Sequence, residues 1–201
     1  AHVWKITIEM MFRPIRGTHD LFGLEIEKYN IVISEISKIA KIYNFNEIET
    51  PIFESTNLFS KPLGVQSDVV LKEMYTFLDK NNDSLTLRPE YTTPMIRAAI
   101  SNNLLERLPT KLYGIGPMFR RERPQKGRFR QFNQINFEIL GTNDMAADVE
   151  LILLADDILK VMEKYDWPKA ISCLTPKSKW NNILIIKLYY RKKTVILHII
   201  A

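Results

Sequence analysis

Apolar residues recur every three or four positions from Glu25 to Tyr43, where Tyr29, Ile33, Ile36, Ala40 and Tyr43 share one side. That period predicts an amphipathic helix. The short run FNEIET that follows is compatible with a strand and is stopped by Pro51. Lys72 to Glu90 then predicts a strand, a turn at Asn81–Asp83 and a second strand ending at Pro89. Thr93 followed by Pro94 predicts a helix cap and a first helical position, with the helix running to about Ser101. Asp144 predicts the start of another helix, which carries Val149, Ile152, Ala155, Leu159 and Met162 on one side. Strands in hairpin-like runs between helices imply an α+β fold, an antiparallel sheet flanked by helices.

The two-residue pattern is most informative between Lys111 and Gly141. KLYGIGPMFRRE alternates as one strand and Phe129–Gly141 as a second. Successive strand side chains point to opposite faces, so Phe129, Ile135, Phe137 and Ile139 share a mainly apolar side with Gln131 and Asn133. Arg130, Phe132, Gln134, Asn136 and Glu138 share the other. The first side should pack on helices. The second sets an aromatic ring, a neutral amide and a carboxylate in a row. Met118, Arg120 and Glu122 share a face of the incoming strand, and a turn from Arg123 to Arg128 joins the two.

Composition narrows the options. The 201 residues include 28 basic and 23 acidic side chains, a net charge of +5 that leans toward polyanionic partners. A lone cysteine, Cys173, excludes an internal disulfide framework, and His2, His19 and His198 are too scattered to read as a zinc site. No apolar run reaches membrane-spanning length, so a cytoplasmic protein is the expectation. Much of the positive charge sits in Phe119–Phe132, where six of fourteen residues are Arg or Lys. Guanidinium forks suit phosphate oxygens and a Phe face suits a base, so Arg120, Arg128 and Phe132 are candidates to hold a nucleotide. The plainer reading is a solvated basic hairpin with core phenylalanines. A large ring between Arg130 and Gln134 argues against that reading.

The stretch FRRERPQKGRFRQFNQINFEILG resembles the second signature motif of class II aminoacyl-tRNA synthetases, in the version found in the histidyl-tRNA synthetase family. RGTHDLFGLE, FNEIETPIFE and LTLRPEYTTPMIRA resemble, in order, that family's opening, its first motif and its amino-acid-recognition segment, with Tyr91 where many members have Gly. The resemblance covers about Arg13 to Asp166 and implies part of a class II synthetase-like catalytic core, with residues 1–12 a poorly specified leader. It implies that Arg120 grips the ATP α-phosphate and is catalytic, that Glu122 lies near the adenine and its Mg²⁺-bound phosphates, that Arg128 touches the γ-phosphate, and that Phe132 stacks on adenine. Glu90 and Thr92 would bind the α-amino group of histidine, Gln134 would orient its carboxylate and amine, and Glu138 would read the imidazole. No residue is assigned as a metal ligand. Partners implied are histidine, ATP, tRNA(His) and a second copy docking near Pro51. Each residue has a plainer use: Glu90 and Thr92 as helix caps, Glu138 and Gln134 as ordinary strand side chains.

The resemblance stops near Trp167. From there to Ala201 the chain has seven Lys or Arg and no Asp or Glu, without a clean period. This 167–201 tail is expected to be unselected sequence, appended by a frame change or truncation, so the third motif and an anticodon-binding domain are expected to be missing and activity impaired. Two other functions stay open: a non-catalytic relative such as the regulatory subunit of ATP phosphoribosyltransferase, and a basic RNA-binding module.

Overall fold

The computed structural model describes residues 12–63, 73–121, 128–165, 185–191 and 194–200, the last two stretches as backbone. Among these residues helices α1 (Leu24–Ile42), α2 (Thr56–Leu63), α3 (Thr92–Ser101) and α4 (Met145–Lys164) accompany eight strands. The strands are β1 (Asn46–Glu47), β2 (Phe53–Ser55), β3 (Tyr75–Leu78), β4 (Ser84–Leu87), β5 (Thr110–Phe119), β6 (Gln131–Leu140), β7 (Ile185–Arg191) and β8 (Thr194–Ile200). A five-stranded sheet has the order β1-β5-β6-β8-β7, and β2-β4-β3 form a smaller one. Among the described strands only β1, beside β5, runs parallel to its neighbour. The expected antiparallel sheet flanked by helices is the architecture found.

Pairing of β5 with β6 forms the spine, in continuous register from Thr110 opposite Leu140 to Phe119 opposite Gln131. One face of it holds Tyr113, Ile135, Phe137 and Ile139, buried against Val32, Ile36 and Ala40 of α1 and Leu151, Leu154, Ile158 and Met162 of α4. Fully burying each such side chain contributes roughly 1.5–3 kcal/mol. Phe45 meets Phe137 edge-on at 5.3 Å. The Tyr43 hydroxyl donates to Asp157 at 2.8 Å and ties the end of α1 to α4. The other face carries Leu112, Met118 and Leu140, packed with Tyr91, Met95 and Ala99. The apolar side read from the two-residue pattern is therefore the side that meets the long helices.

Three expectations need adjusting. In α4 the buried stripe is Ala147, Leu151, Leu154, Ala155, Ile158 and Met162, while Val149 and Ile152 are exposed. That helix is apolar on most of its circumference, and the stripe that interleaves with Ile135 and Phe137 wins. Helix α3 begins at Thr92 rather than after Thr93. The Glu90 carboxylate accepts from the backbone N–H groups of Thr92 at 2.8 Å and Thr93 at 2.9 Å, which starts the helix early. Pro94 fits the first turn because its missing N–H would have had no partner inside the helix. In the tail, Ile185–Arg191 and Thr194–Ile200 form a hairpin whose β8 pairs with β6 from Gln134 to Leu140. Alternation was hard to see there because apolar residues are nearly continuous.

The predicted turn is present. Asp79 Oδ1 accepts from the N–H groups of Asn81 and Asp83, both at 2.8 Å, and Asn82 takes the left-handed φ of 65° that asparagine tolerates.

Candidate functional site

The second face of β6 turns its polar row inward. Gln134, Asn136 and Glu138 are all buried, a costly arrangement unless their polar atoms find partners. Within the row Gln134 Nε2 donates to Asn136 Oδ1 at 3.3 Å, and Asn136 Nδ2 donates to Glu138 Oε1 at 2.7 Å. The same Nδ2 reaches Met95 Sδ at 3.3 Å. Two acceptors stay unmatched among the described residues: Gln134 Oε1 and Glu138 Oε2, both buried without a hydrogen-bond partner.

Glu138 carries the clearest electrostatic signature. Its carboxyl is raised to about 8, chiefly because burial penalises the charged form and secondarily because Glu90 lies close. Hydrogen bonds from the Thr92 hydroxyl and the Asn136 amide pull in the opposite direction without cancelling it. Glu90, Thr92 and Glu138 thus share one neighbourhood, where the start of α3 meets β6. The Glu90 carboxylate also accepts from the first N–H groups of that helix, so the plainer use considered for it is present alongside its position in the cluster.

On the nucleotide side of the expectation, Arg120 Nε donates to Pro89 O at 2.9 Å. Its guanidinium lies 5.1 Å from the centre of the Phe132 ring. Phe132 packs at the edge of the cluster formed by Tyr91, Met95 and Met118. The links run from Phe132 to Arg120 and on to Pro89 O, beside Glu90, while Gln134, Asn136 and Glu138 follow one another along the strand face to Thr92 and Glu90. Arg128 is exposed at the start of the returning strand, and Glu122 lies outside the described residues. No group of three or more His, Cys, Asp or Glu that would cage a metal exists among the described residues.

Sequence reasoning missed two members of this region. Arg88 is fully buried, donating from Nε to Pro117 O at 3.0 Å and from Nη1 to Thr50 O at 2.7 Å and Thr50 Oγ1 at 3.1 Å. It stacks on Tyr91 at 4.4 Å and fastens the segment before Glu90 to both β5 and the chain before Pro51. The available signal was Gly114 and Gly116, two residues apart in one strand. A Cβ at Gly114 would meet Tyr91 Cε1 at 2.6 Å, and one at Gly116 would strike the Arg88 guanidinium. Such spacing marks close approach by another element. Asn136 was placed on the correct face but given no role, though it is the centre of the polar row.

The family model described as histidyl-tRNA synthetase matches residues 17–167. The histidine–tRNA ligase of Novosphingobium aromaticivorans is 48% identical over 148 residues, 74% of this chain and 35% of that protein. The chain therefore spans about a third of that relative's length. The apo histidyl-tRNA synthetase of S. aureus superposes with a TM-score of 0.63 at 35% identity, covering 75% of this chain and 34% of that one. A Bacillus halodurans structure described as an ATP phosphoribosyltransferase regulatory subunit/histidyl-tRNA synthetase gives a TM-score of 0.64 at 25% identity, covering 77% and 38%.

Proposed function

Because the chain belongs to the histidyl-tRNA synthetase family, we propose that this polar cluster is the histidine- and ATP-binding part of a histidine–tRNA ligase active site. The observation that carries the reading is the pair of unmatched buried acceptors, Gln134 Oε1 and Glu138 Oε2, beside an arginine stacked on a phenylalanine. Buried acceptors call for donors, and histidine brings an ammonium and a ring N–H. Glu138 reads the imidazole, Glu90 and Thr92 receive the α-amino group, and Gln134 orients the amine and carboxylate. Arg120 is the catalytic cation: it grips the α-phosphate and stabilises the charge that develops as the histidine carboxylate attacks. Phe132 stacks on adenine and Arg128 meets the γ-phosphate; the role near the metal-bound phosphates that the resemblance implies for Glu122 falls outside the described residues.

The reaction is two-step. Histidine and ATP give histidyl-adenylate and pyrophosphate, then the histidyl group passes to the 3′-terminal ribose of tRNA(His). The first step needs positioning and charge stabilisation more than proton transfer by the protein. Mg²⁺ would arrive on the ATP phosphates and neutralise them. The exposed Ile52, Phe53, Phe77 and Leu78 around the small sheet support dimerisation near Pro51. Among the described residues no helix is long and apolar enough to cross a membrane, and a cytoplasmic location fits the reading.

Equilibrium titration with Mg·ATP, with and without histidine, tests this. Saturable ATP binding that histidine strengthens, and that both Arg120→Ala and Phe132→Ala abolish, is expected. ATP affinity untouched by either substitution refutes the assignment. The likeness to the Bacillus halodurans chain favours a second reading, a regulatory relative that binds histidine without activating it. Histidine-dependent ATP–pyrophosphate exchange in a chain extended to the relatives' length separates the two.

A further inference from the structure

Asn136 is buried in the middle of the row, and both the oxygen and the nitrogen of its carboxamide are engaged. Its oxygen accepts from Gln134, and its nitrogen serves both Glu138 Oε1 and Met95 Sδ. With Glu138 ionised, as a bound ammonium or imidazolium would hold it, this leaves the amide one orientation: turned over, its oxygen would face the Glu138 carboxylate and its nitrogen would face the Gln134 NH₂. The orientation propagates. With Nε2 committed to Asn136, Gln134 must turn its oxygen away, and with Oε1 committed, Glu138 must turn Oε2 away. Those two oxygens are the unmatched acceptors. We infer that Asn136 is a positioning residue, whose carboxamide sets the polarity of the pocket so that both flanking side chains offer acceptors to a ligand carrying two N–H donor groups.

The inference rests on the histidine-binding reading and adds to it a source of specificity. Without Asn136, Gln134 would meet a ligand donor or acceptor equally, and Glu138 could turn its oxygens aside from a ring that lacks an N–H. Held by Asn136, Glu138 rejects such a ring, because Oε2 would be left buried and unpaired. Asn136 touches no ligand in this arrangement; its effect passes through Gln134 and Glu138.

The test is calorimetric binding of histidine and of 3-(2-thienyl)alanine, a ring analogue without an N–H, to the wild-type chain and to Asn136→Leu and Asn136→Asp. Mg·ATP affinity is measured alongside to report an intact neighbouring site. Wild type should prefer histidine strongly. Asn136→Leu removes both bonds, and Asn136→Asp keeps the acceptor for Gln134 while setting a second carboxyl against Glu138. Each should reduce the preference roughly ten- to a hundredfold with ATP affinity unchanged. A wild type that binds ATP and prefers histidine, with variants that prefer it equally, overturns the role of Asn136 and leaves the functional reading standing. A wild type that binds neither ligand overturns the functional reading, and this inference with it. Side-chain amide NMR of the wild type needs no variant: the Asn136 NH₂ pair should stay split and protected from solvent, and rapid exchange would defeat the inference.

Discussion

Replacing Glu138 by Gln should make the empty protein more stable in alkaline solution, although it removes the acid assigned to the imidazole. The carboxyl ordinarily titrates near 4.5 and in the folded chain is raised to about 8. Between those values the folded state keeps a proton that the unfolded state gives up. Stability from this group is therefore complete below pH 4.5 and is lost progressively as the pH rises to about 8. The gap of about 3.5 pH units, at roughly 1.36 kcal/mol each, is worth about 5 kcal/mol once titration is complete. Water penetration into the pocket would reduce this, so a gain of roughly 3–5 kcal/mol for Glu138→Gln at pH 8.5 is expected, against little difference at pH 4.5.

Urea unfolding followed by far-ultraviolet circular dichroism, run on both proteins from pH 4.5 to 8.5, measures the difference directly. Other groups with displaced titrations drop out of it. Asp157, held low first by the Tyr43 hydroxyl, and Glu35, held low first by Lys38, are present in both proteins. A difference that stays within about 0.5 kcal/mol across the range would refute the reasoning, because it would mean that Glu138 is well solvated in the folded chain.

Three further outcomes follow from the same contacts. Arg88→Leu strips the donors from Thr50 O and Pro117 O and should cost roughly 2–4 kcal/mol in chemical denaturation, with Glu90 displaced and ATP binding weakened as a consequence. Gly114→Ala forces a Cβ against Tyr91 and Ile48 O and should cost roughly 1–3 kcal/mol, partly relieved by a second change, Tyr91→Ala, in a double-mutant cycle. Asp144→Ala removes the side-chain acceptor for Ala146 N at 2.9 Å and should cost about 1 kcal/mol by thermal melting, without altering ligand affinity.

What could be read from the sequence depended on whether one period decided the matter. The two-residue alternation of β6 was legible because polar and apolar residues exchange strictly from Gln134 to Ile139, which separates the core face from the polar row. In α4 the periodicity was real but over-supplied: Val149, Ile152 and Leu153 are as apolar as the residues that ended inside, and only the shape of the facing strands chooses between stripes. The start of α3 was displaced because Glu90 caps from two residues upstream through its side chain, a contact that propensity at Thr93 and Pro94 does not contain. The bonds of Arg88 were invisible for a different cause. An arginine at the end of a strand is ordinarily solvated, and its burial here depends on Gly116, where any side chain would strike its guanidinium.

The polar row and the apolar core make opposite demands of the same strand, and the sheet reconciles them through β5. Opposite Gln134 and Asn136 the neighbouring strand places Gly116 and Gly114. Those glycines admit Arg88 and Tyr91 over the sheet, which in turn fix the segment carrying Glu90 and Thr92 above Glu138. Had β5 carried ordinary side chains there, the row would face a packed wall, and a buried carboxyl would have neither the Thr92 hydroxyl nor room for a ligand. The cost of burying Glu138 is thus tied to the same glycines that make its pocket. Enlarging Gly116, by displacing Arg88 and letting water reach the row, should lower the Glu138 pKa toward the ordinary carboxylate range as it weakens histidine binding. Carboxyl-carbon NMR of Glu138 in Gly116→Ala checks this: a resonance still titrating near 8 would mean that the pocket is shielded from water independently of β5.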